Sequence, residues 1–313
     1  MKPQTEETLR YLESLVAGLD ADYTFTSDAG DVSQAFGWNV DTEGEFYFAR
    51  LLEKFGLLKS VPVKEFMARY QRLEHERTEE IIQQCQSVFE LVRRCTVNRE
   101  VYELRTFGDS PGQPLSDGFG GYDCVQFILG ETQDGDWIGI APKLKNTSGW
   151  TKAIHIQQDG HLPSSSASKF EDLMQVLDGS LDRNLIQWLF VADSPNDSIG
   201  QFASVEGIVC KTASSKELII EVLLGAGNLL GVYPFEGFTM SDDIESELSA
   251  QRDEDDNTLS KYRQSKTLKD FFAVELNGAK LYQLGYGVCI RHYVFAQLAN
   301  LDWAGVLSFS VYS

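Results

Sequence analysis

An internal echo constrains this chain more than any other feature. When one half of the 313 residues is slid over the other without gaps, Asp136-Trp137-Ile138-Gly139-Ile140 falls on Asp302-Trp303-Ala304-Gly305-Val306. The same shift lays Phe127-Ile128-Leu129 on Tyr293-Val294-Phe295, and Thr147 on Ser313. With one insertion allowed, VYELR (Val101–Arg105) matches LYQLG (Leu281–Gly285). The chain has only five tryptophans, so a shared Asp-Trp-x-Gly inside matching flanks marks a repeated unit.

Each copy carries the same order of signals. An opening amphipathic helix (Leu9, Leu12, Leu15 and Leu19 in one copy; Phe170, Leu173, Met174, Leu177 and Leu181 in the other) is followed by an acidic turn, YTFTSDAG or LFVADSPND. EFYFARLLEKFG then parallels ELIIEVLLGAG, and a second helical pattern follows, IIQQCQSVFELVRR or KTLKDFFAVEL. A strand, turn, strand hairpin closes each copy around TQDGD or LANLD. The Ser-, Gly- and Pro-bearing stretch Gln157–Ser168 reads as a connection. The expected organisation is a first domain over 1–150, a linker over 151–167 and a second domain over 168–313. Antiparallel hairpins with helices at the ends predict an α+β fold, not a doubly wound parallel sheet.

Charge narrows the function. With 47 acidic against 27 basic side chains the formal charge is −20, which argues against direct binding of nucleic acid or anionic lipid and favours a basic partner. The five cysteines form no C-x-x-C pair and read as buried reduced thiols. Lys2 is followed by TEET rather than an apolar run, and the most apolar stretch, Leu218 to Tyr233, contains Glu221 and is too short to span a bilayer. A cytoplasmic protein without membrane attachment is the expectation.

Reactive groups do not converge. The four histidines, His75, His155, His161 and His292, are scattered without ligand spacing, and His292 is expected on a strand surface opposite Gln126 of the other copy. GAGNLLG (Gly225–Gly231) has its third glycine one position late for a dinucleotide loop, with Pro234 close behind, and is read as a turn between strands. No phosphate loop or nucleophile elbow occurs. Asp136 and Asp302 are expected to cap their turns, and Trp137 and Trp303 to pack behind the hairpins. No enzymatic activity and no cofactor are expected.

The hairpin VYELR…YDCVQFILGETQDGDWIGIAPKLKNT and its divergent partner KLYQLGYGVCIRHYVFAQLANLDWAGVLSFSVYS resemble the closing segment of the nuclease A inhibitor family. The strongest matches are Val101-Tyr102-Glu103-Leu104 and Gly130-Glu131-Thr132. Phe25-Thr26-Ser27-Asp28 and Phe190-Val191-Ala192-Asp193 occupy the place of that family's Phe-x-Ser-Glu turn. The resemblance implies two tandem three-layer α-β-α sandwich domains with mainly antiparallel sheets. It also implies inhibition of a metal-dependent, sugar-non-specific nuclease, with a C-terminal segment entering the nuclease site. Ser313 then takes the terminal position, its hydroxyl reaching the partner's metal in the complex, with Tyr312 beside it. Asp28 and Asp193 match the family's acidic turn. Asp242 and Asp243, from the acidic stretch Ser241–Asn257, and Trp303 complete the expected partner-binding set. The alternative expectation is an interaction module of the same duplicated fold with a different basic partner.

Overall fold

The computed structural model describes residues 2–25, 29–30, 32–70, 78–105, 124–145, 164, 168–170, 191–192, 205–238, 256–276, 278–286 and 289–311. The fold is mixed α+β with two mainly antiparallel six-stranded sheets, each in its own compact unit.

Unit 1 comprises Met1–Phe46, Thr151–Ile154 and Gly231–Ser313. Its first part contains α1 (Pro3–Val16), α2 (Asp22–Phe25), β1 (Ala29–Gly30), β2 (Gln34–Trp38) and α3 (Val40–Glu43). Pro3 opens α1, where a missing N–H costs nothing, and Leu12, Leu15 and Val16 form its buried stripe.

Unit 2 comprises Tyr47–Trp150 and His155–Leu230. It holds α4 (Phe48–Lys54), β3 (Leu58–Val61), α5 (Val63–Tyr70), α6 (Thr78–Cys95), β4 (Asn98–Arg105), β5 (Cys124–Glu131) and β6 (Trp137–Leu144). From the later half of the sequence come β7 (Val191–Ala192), β8 (Val205–Ala213) and α7 (Lys216–Ala226). The chain then returns to unit 1 through β9 (Leu230–Pro234), α8 (Asp256–Glu275), β10 (Lys280–Tyr286), β11 (Cys289–Gln297) and β12 (Trp303–Val311).

The compact units therefore do not coincide with the sequential halves expected from the repeat. In unit 1 the strand order is β9-β10-β11-β12, and the edge beyond β12 is completed by β2 and β1 from the beginning of the chain. In unit 2 the order is β3-β4-β5-β6, and the edge beyond β6 is completed by β8, while β7 pairs with β5. Each repeat thus lends an edge strand to the hairpin of the other. The two ladders share a register: Trp303 lies opposite Trp38 and Gly305 opposite Phe36, while Trp137 lies opposite Ala213 and Gly139 opposite Lys211. Alternation along a strand fixes which face is buried but not which strand lies alongside, so the sequence left this exchange undetermined.

Helices follow their donated strands. In unit 1, α1 and α8 cover one sheet face, with Leu12, Leu15, Val16 and Leu19 meeting Leu268, Phe272, Val294, Ala296, Ala304 and Val306 in one core. In unit 2, α7 lies over β6 and β8, and the Cβ-less Gly139 lets Leu223 and Ile219 approach the sheet. The Ser215 hydroxyl accepts the Leu218 N–H to cap α7, and Glu217 of α7 pairs with Arg50 of α4 at 2.9 Å. Tyr47 gives α4 no side-chain cap, but Glu221 of α7 accepts its Ala49 N–H at 3.2 Å.

The run LIIEVLL, expected as a strand, is the interior of α7. Five of its own residues, Ile219, Ile220, Val222, Leu223 and Leu224, are buried, which erases the amphipathic period that would have identified a helix. The turn at Gly227–Leu229 therefore joins a helix to a strand, the reverse of the order a dinucleotide loop requires. No helix among the described residues is long and apolar enough to cross a membrane.

Candidate functional site

The candidate site is the sheet edge at the end of β12. Side chains alternate along this strand. Ala304 and Val306 belong to the core beneath α1 and α8, so Ser308 and Ser310 share that face farther along the strand. His292 lies directly opposite Ser308 on β11 and opposite Gln283 on β10. Gln283 Nε2 and His292 Nδ1 are 3.4 Å apart. The apolar core thus gives way to a buried polar strip toward the end of the chain.

His292 is only 1 % exposed, which corrects its expected surface position. The reason is its strand: β11 is paired on both sides, and the face that carries His292 also carries the core residues Val294 and Ala296. Burial holds its pKa down to about 3, so the ring is neutral at neutral pH. On the opposite face Arg291 is also buried, with its guanidinium carbon 5.0 Å from the Phe309 ring centroid.

Beyond the strip, β1 completes the edge: Ala29 pairs with Val311 and Gly30 with Ser310. This register brings the residue that follows Asp28 alongside the residue two positions before Ser313. Asp28, Asp193, Asp242, Asp243, Tyr312 and Ser313 themselves lie outside the described residues. The two acidic turns have different flanks. Phe25 closes the helix α2, whereas Val191 and Ala192, aligned next to Asp193, form a strand on β5.

Trp303 is described, and it packs. Its ring stacks on Phe46 at 4.5 Å and 24°, and meets Phe295 edge-on at 5.8 Å. It begins β12 whereas Val311 ends it, so at the usual strand rise of about 3.3 Å per residue the two lie roughly 26 Å apart. The structure does not bring Trp303 together with Val311.

Sequence reasoning underestimated the two aspartates of the repeat. Asp302, with no exposed side-chain surface, accepts the Thr5 hydroxyl at 2.6 Å and the Val40 N–H at 3.1 Å, with Lys2 Nζ at 3.5 Å. It therefore fastens the start of α1 and the start of α3 to the β11–β12 turn. Burial opposes its charge, but these donors hold its carboxyl below the usual range. Asp136 does the equivalent work in unit 2, accepting the Ser164 N–H at 2.7 Å just ahead of the helical residues Ser168–Phe170. The turns share their backbone bonds. Thr132 N–H donates to Asp136 O and Leu298 N–H to Asp302 O, both at 2.7 Å.

Among the described residues no group of three or more His, Cys, Asp or Glu side chains is placed to hold a metal ion. Compared with known proteins, the chain matches no family model and no curated protein.

Proposed function

We propose that this protein is a non-enzymatic, cytoplasmic inhibitor that occupies the active site of a basic, metal-dependent, sugar-non-specific nuclease. The reading treats the molecule as two tandem three-layer α-β-α sandwiches that have exchanged edge elements. Contact is made through the edge formed by β12 and β1, with Ser313 reaching the partner's metal and Tyr312 and Asp28 beside it. The single observation that supports this reading is the pairing of Ala29 with Val311, the sequence neighbours of Asp28 and Tyr312. The formal charge of −20 supports it, because a cleft built for phosphates is electropositive and an acidic plug gains encounter rate and register there. A hydroxyl and a carboxylate are hard oxygen donors suited to Mg²⁺.

The test is plasmid digestion by such a nuclease with Mg²⁺, titrating the native chain against one carrying a bulky C-terminal extension. Stoichiometric protection that the extension abolishes is the expected result, and protection that survives the extension refutes insertion of the chain end.

One observation favours a different basic partner. The turn of the second hairpin has exchanged the acidic TQDGD for LANLD, and Leu301 at its tip is 60 % exposed. Under this alternative, association with a basic protein is salt-sensitive, insensitive to the extension and independent of Mg²⁺.

A further inference from the structure

We propose that the arm running from Lys2 to Asn39 is exchangeable between molecules, so that a second copy of this chain is a partner for the β12 edge. Three observations lead there. First, the edge of β12 is already completed by the other repeat. β2 pairs along Trp303–Leu307, and β8 repeats the same register on β6. Pairing between different copies of the unit is therefore the way this fold closes, and a copy on another chain offers the same surface.

Second, a set of the arm's described attachments comes from parts of unit 1 that lie far away along the chain. Thr5 and Lys2 hold Asp302, Lys261 Nζ holds Asp20 at 2.6 Å, and Gln264 Nε2 donates to Leu15 O at 2.7 Å. Leu12, Leu15, Val16 and Leu19 fill the core, and Leu9 lies over Gly37, where an added Cβ would approach it to 2.6 Å. Delivered by another molecule, the arm would make the same contacts.

Third, the tether is short and its geometry depends on one glycine. The chain leaves unit 1 after Phe46, only two residues beyond Gly44. Gly44 has φ 79° and ψ −170°, a region essentially reserved for glycine. Its N–H donates to Val40 O at 3.0 Å, and its carbonyl accepts Trp38 Nε1–H at 2.9 Å. A β-branched residue there cannot hold the bend, and a straightened tether carries the arm away from its own β12. Because the core contacts and the bonds to Asp302, Lys261 and Gln264 are available in either arrangement, exchange replaces an intramolecular closure by an intermolecular one at the local cost of the Trp38 contacts to Gly44 and Phe46. The donated arm includes Ala29 and Gly30, so one chain would complete the terminal edge of the other.

The experiment uses the full chain. Gly44→Val is compared with Gly18→Val, which places a valine at another positive φ (72°) in open space within the arm. Multi-angle light scattering should give twice the monomer mass for Gly44→Val at micromolar concentration, and the monomer mass for Gly18→Val. A second measurement leaves the tether unaltered. Chains carrying only Ala35→Cys are mixed with chains carrying only Val306→Cys, two positions that face each other across the ladder, then partly unfolded and refolded together at high concentration. A disulfide-linked dimer that requires both cysteines is expected. A monomeric Gly44→Val that has merely lost stability, or the absence of the cross-linked dimer, overturns the proposal.

Discussion

Units 1 and 2 close the same sheet with different contents. Both run hairpin, edge strand and clasping aspartate in one register, yet the positions around that frame diverge. In unit 2 the face of β6 is covered by the aliphatic helix α7, with Ile219 and Leu223 over Gly139. In unit 1 the corresponding face of β12 is aromatic: Phe46 stacks on Trp303, and Phe36 and Tyr282 surround Phe295. The buried polar positions differ as well. Glu103 lies opposite Gln126 in unit 2, where unit 1 has Gln283 opposite His292. Farther along the terminal strand, Pro142 and Leu144 of unit 2 correspond to Ser308 and Ser310 of unit 1. Register and clasp have outlasted side-chain identity, and the polar hydroxyls have gathered in the unit that carries the candidate site.

The largest predicted effects lie at the clasps. Asp302→Ala leaves the Thr5 hydroxyl and the Val40 N–H without their buried acceptor and should destabilise by about 3 kcal/mol in denaturant unfolding. Asp136→Ala removes the buried acceptor of the Ser164 N–H and should cost at least about 1 kcal/mol for that bond. The matched glycines come next. A Cβ at Gly305 would collide with the Val294 carbonyl and the Phe295 backbone, whereas one at Gly139 would meet the movable ends of Leu223, Leu129 and Ile219. Gly305→Ala should therefore cost about 2–3 kcal/mol and Gly139→Ala less, measured in the same way.

Acid should separate the units through His292. Its folded pKa is about 3 and its unfolded value about 6.5, so between those values the unfolded chain binds a proton that the folded chain does not. This contribution is fully present above about pH 6.5 and is lost as pH falls, by up to about 1.4 kcal/mol per pH unit. His292→Gln, which copies the residue at the matching place in unit 2, should flatten the stability profile between pH 6.5 and 4. An unchanged slope would assign the acid sensitivity to other groups.

The smallest effect belongs to the hairpin tips. Leu301 has φ 73° where the other copy has Gly135 at φ 87°. The leucine is exposed, so Leu301→Gly should raise stability by roughly 0.5–1 kcal/mol, the relief of a left-handed leucine less the chain entropy of glycine. Thermal unfolding of this variant beside Gly135→Leu checks the sign from both directions.

The hairpins were legible because their information is local. Asp-Trp-x-Gly, the turn residues and the flanking alternation all lie within a short window, and the structure gives both turns the same backbone hydrogen bonds. The edge strands were not, because β2 and β8 contain nothing that names the strand they will join. The helix α7 was hidden by its buried surroundings, and His292 by a central strand that is buried on the face it shares with Val294. Of the candidate site, the pairing that flanks Asp28 is described, whereas the acidic and terminal side chains lie outside the described residues. Trp303 had a repeat to recommend it, but conformity to a repeat is as well explained by packing, and packing is what its stack on Phe46 provides.

The central structural claim is that each unit is assembled from both halves of the sequence. It is tested most directly by introducing a specific protease site between Trp150 and Gly160 of the full chain, cutting it, and recording the native mass and the unfolding midpoint. The account predicts that the two fragments remain together as a one-to-one complex that unfolds in a single step and separates only in denaturant. Fragments that part under native conditions, each retaining folded structure, would contradict it.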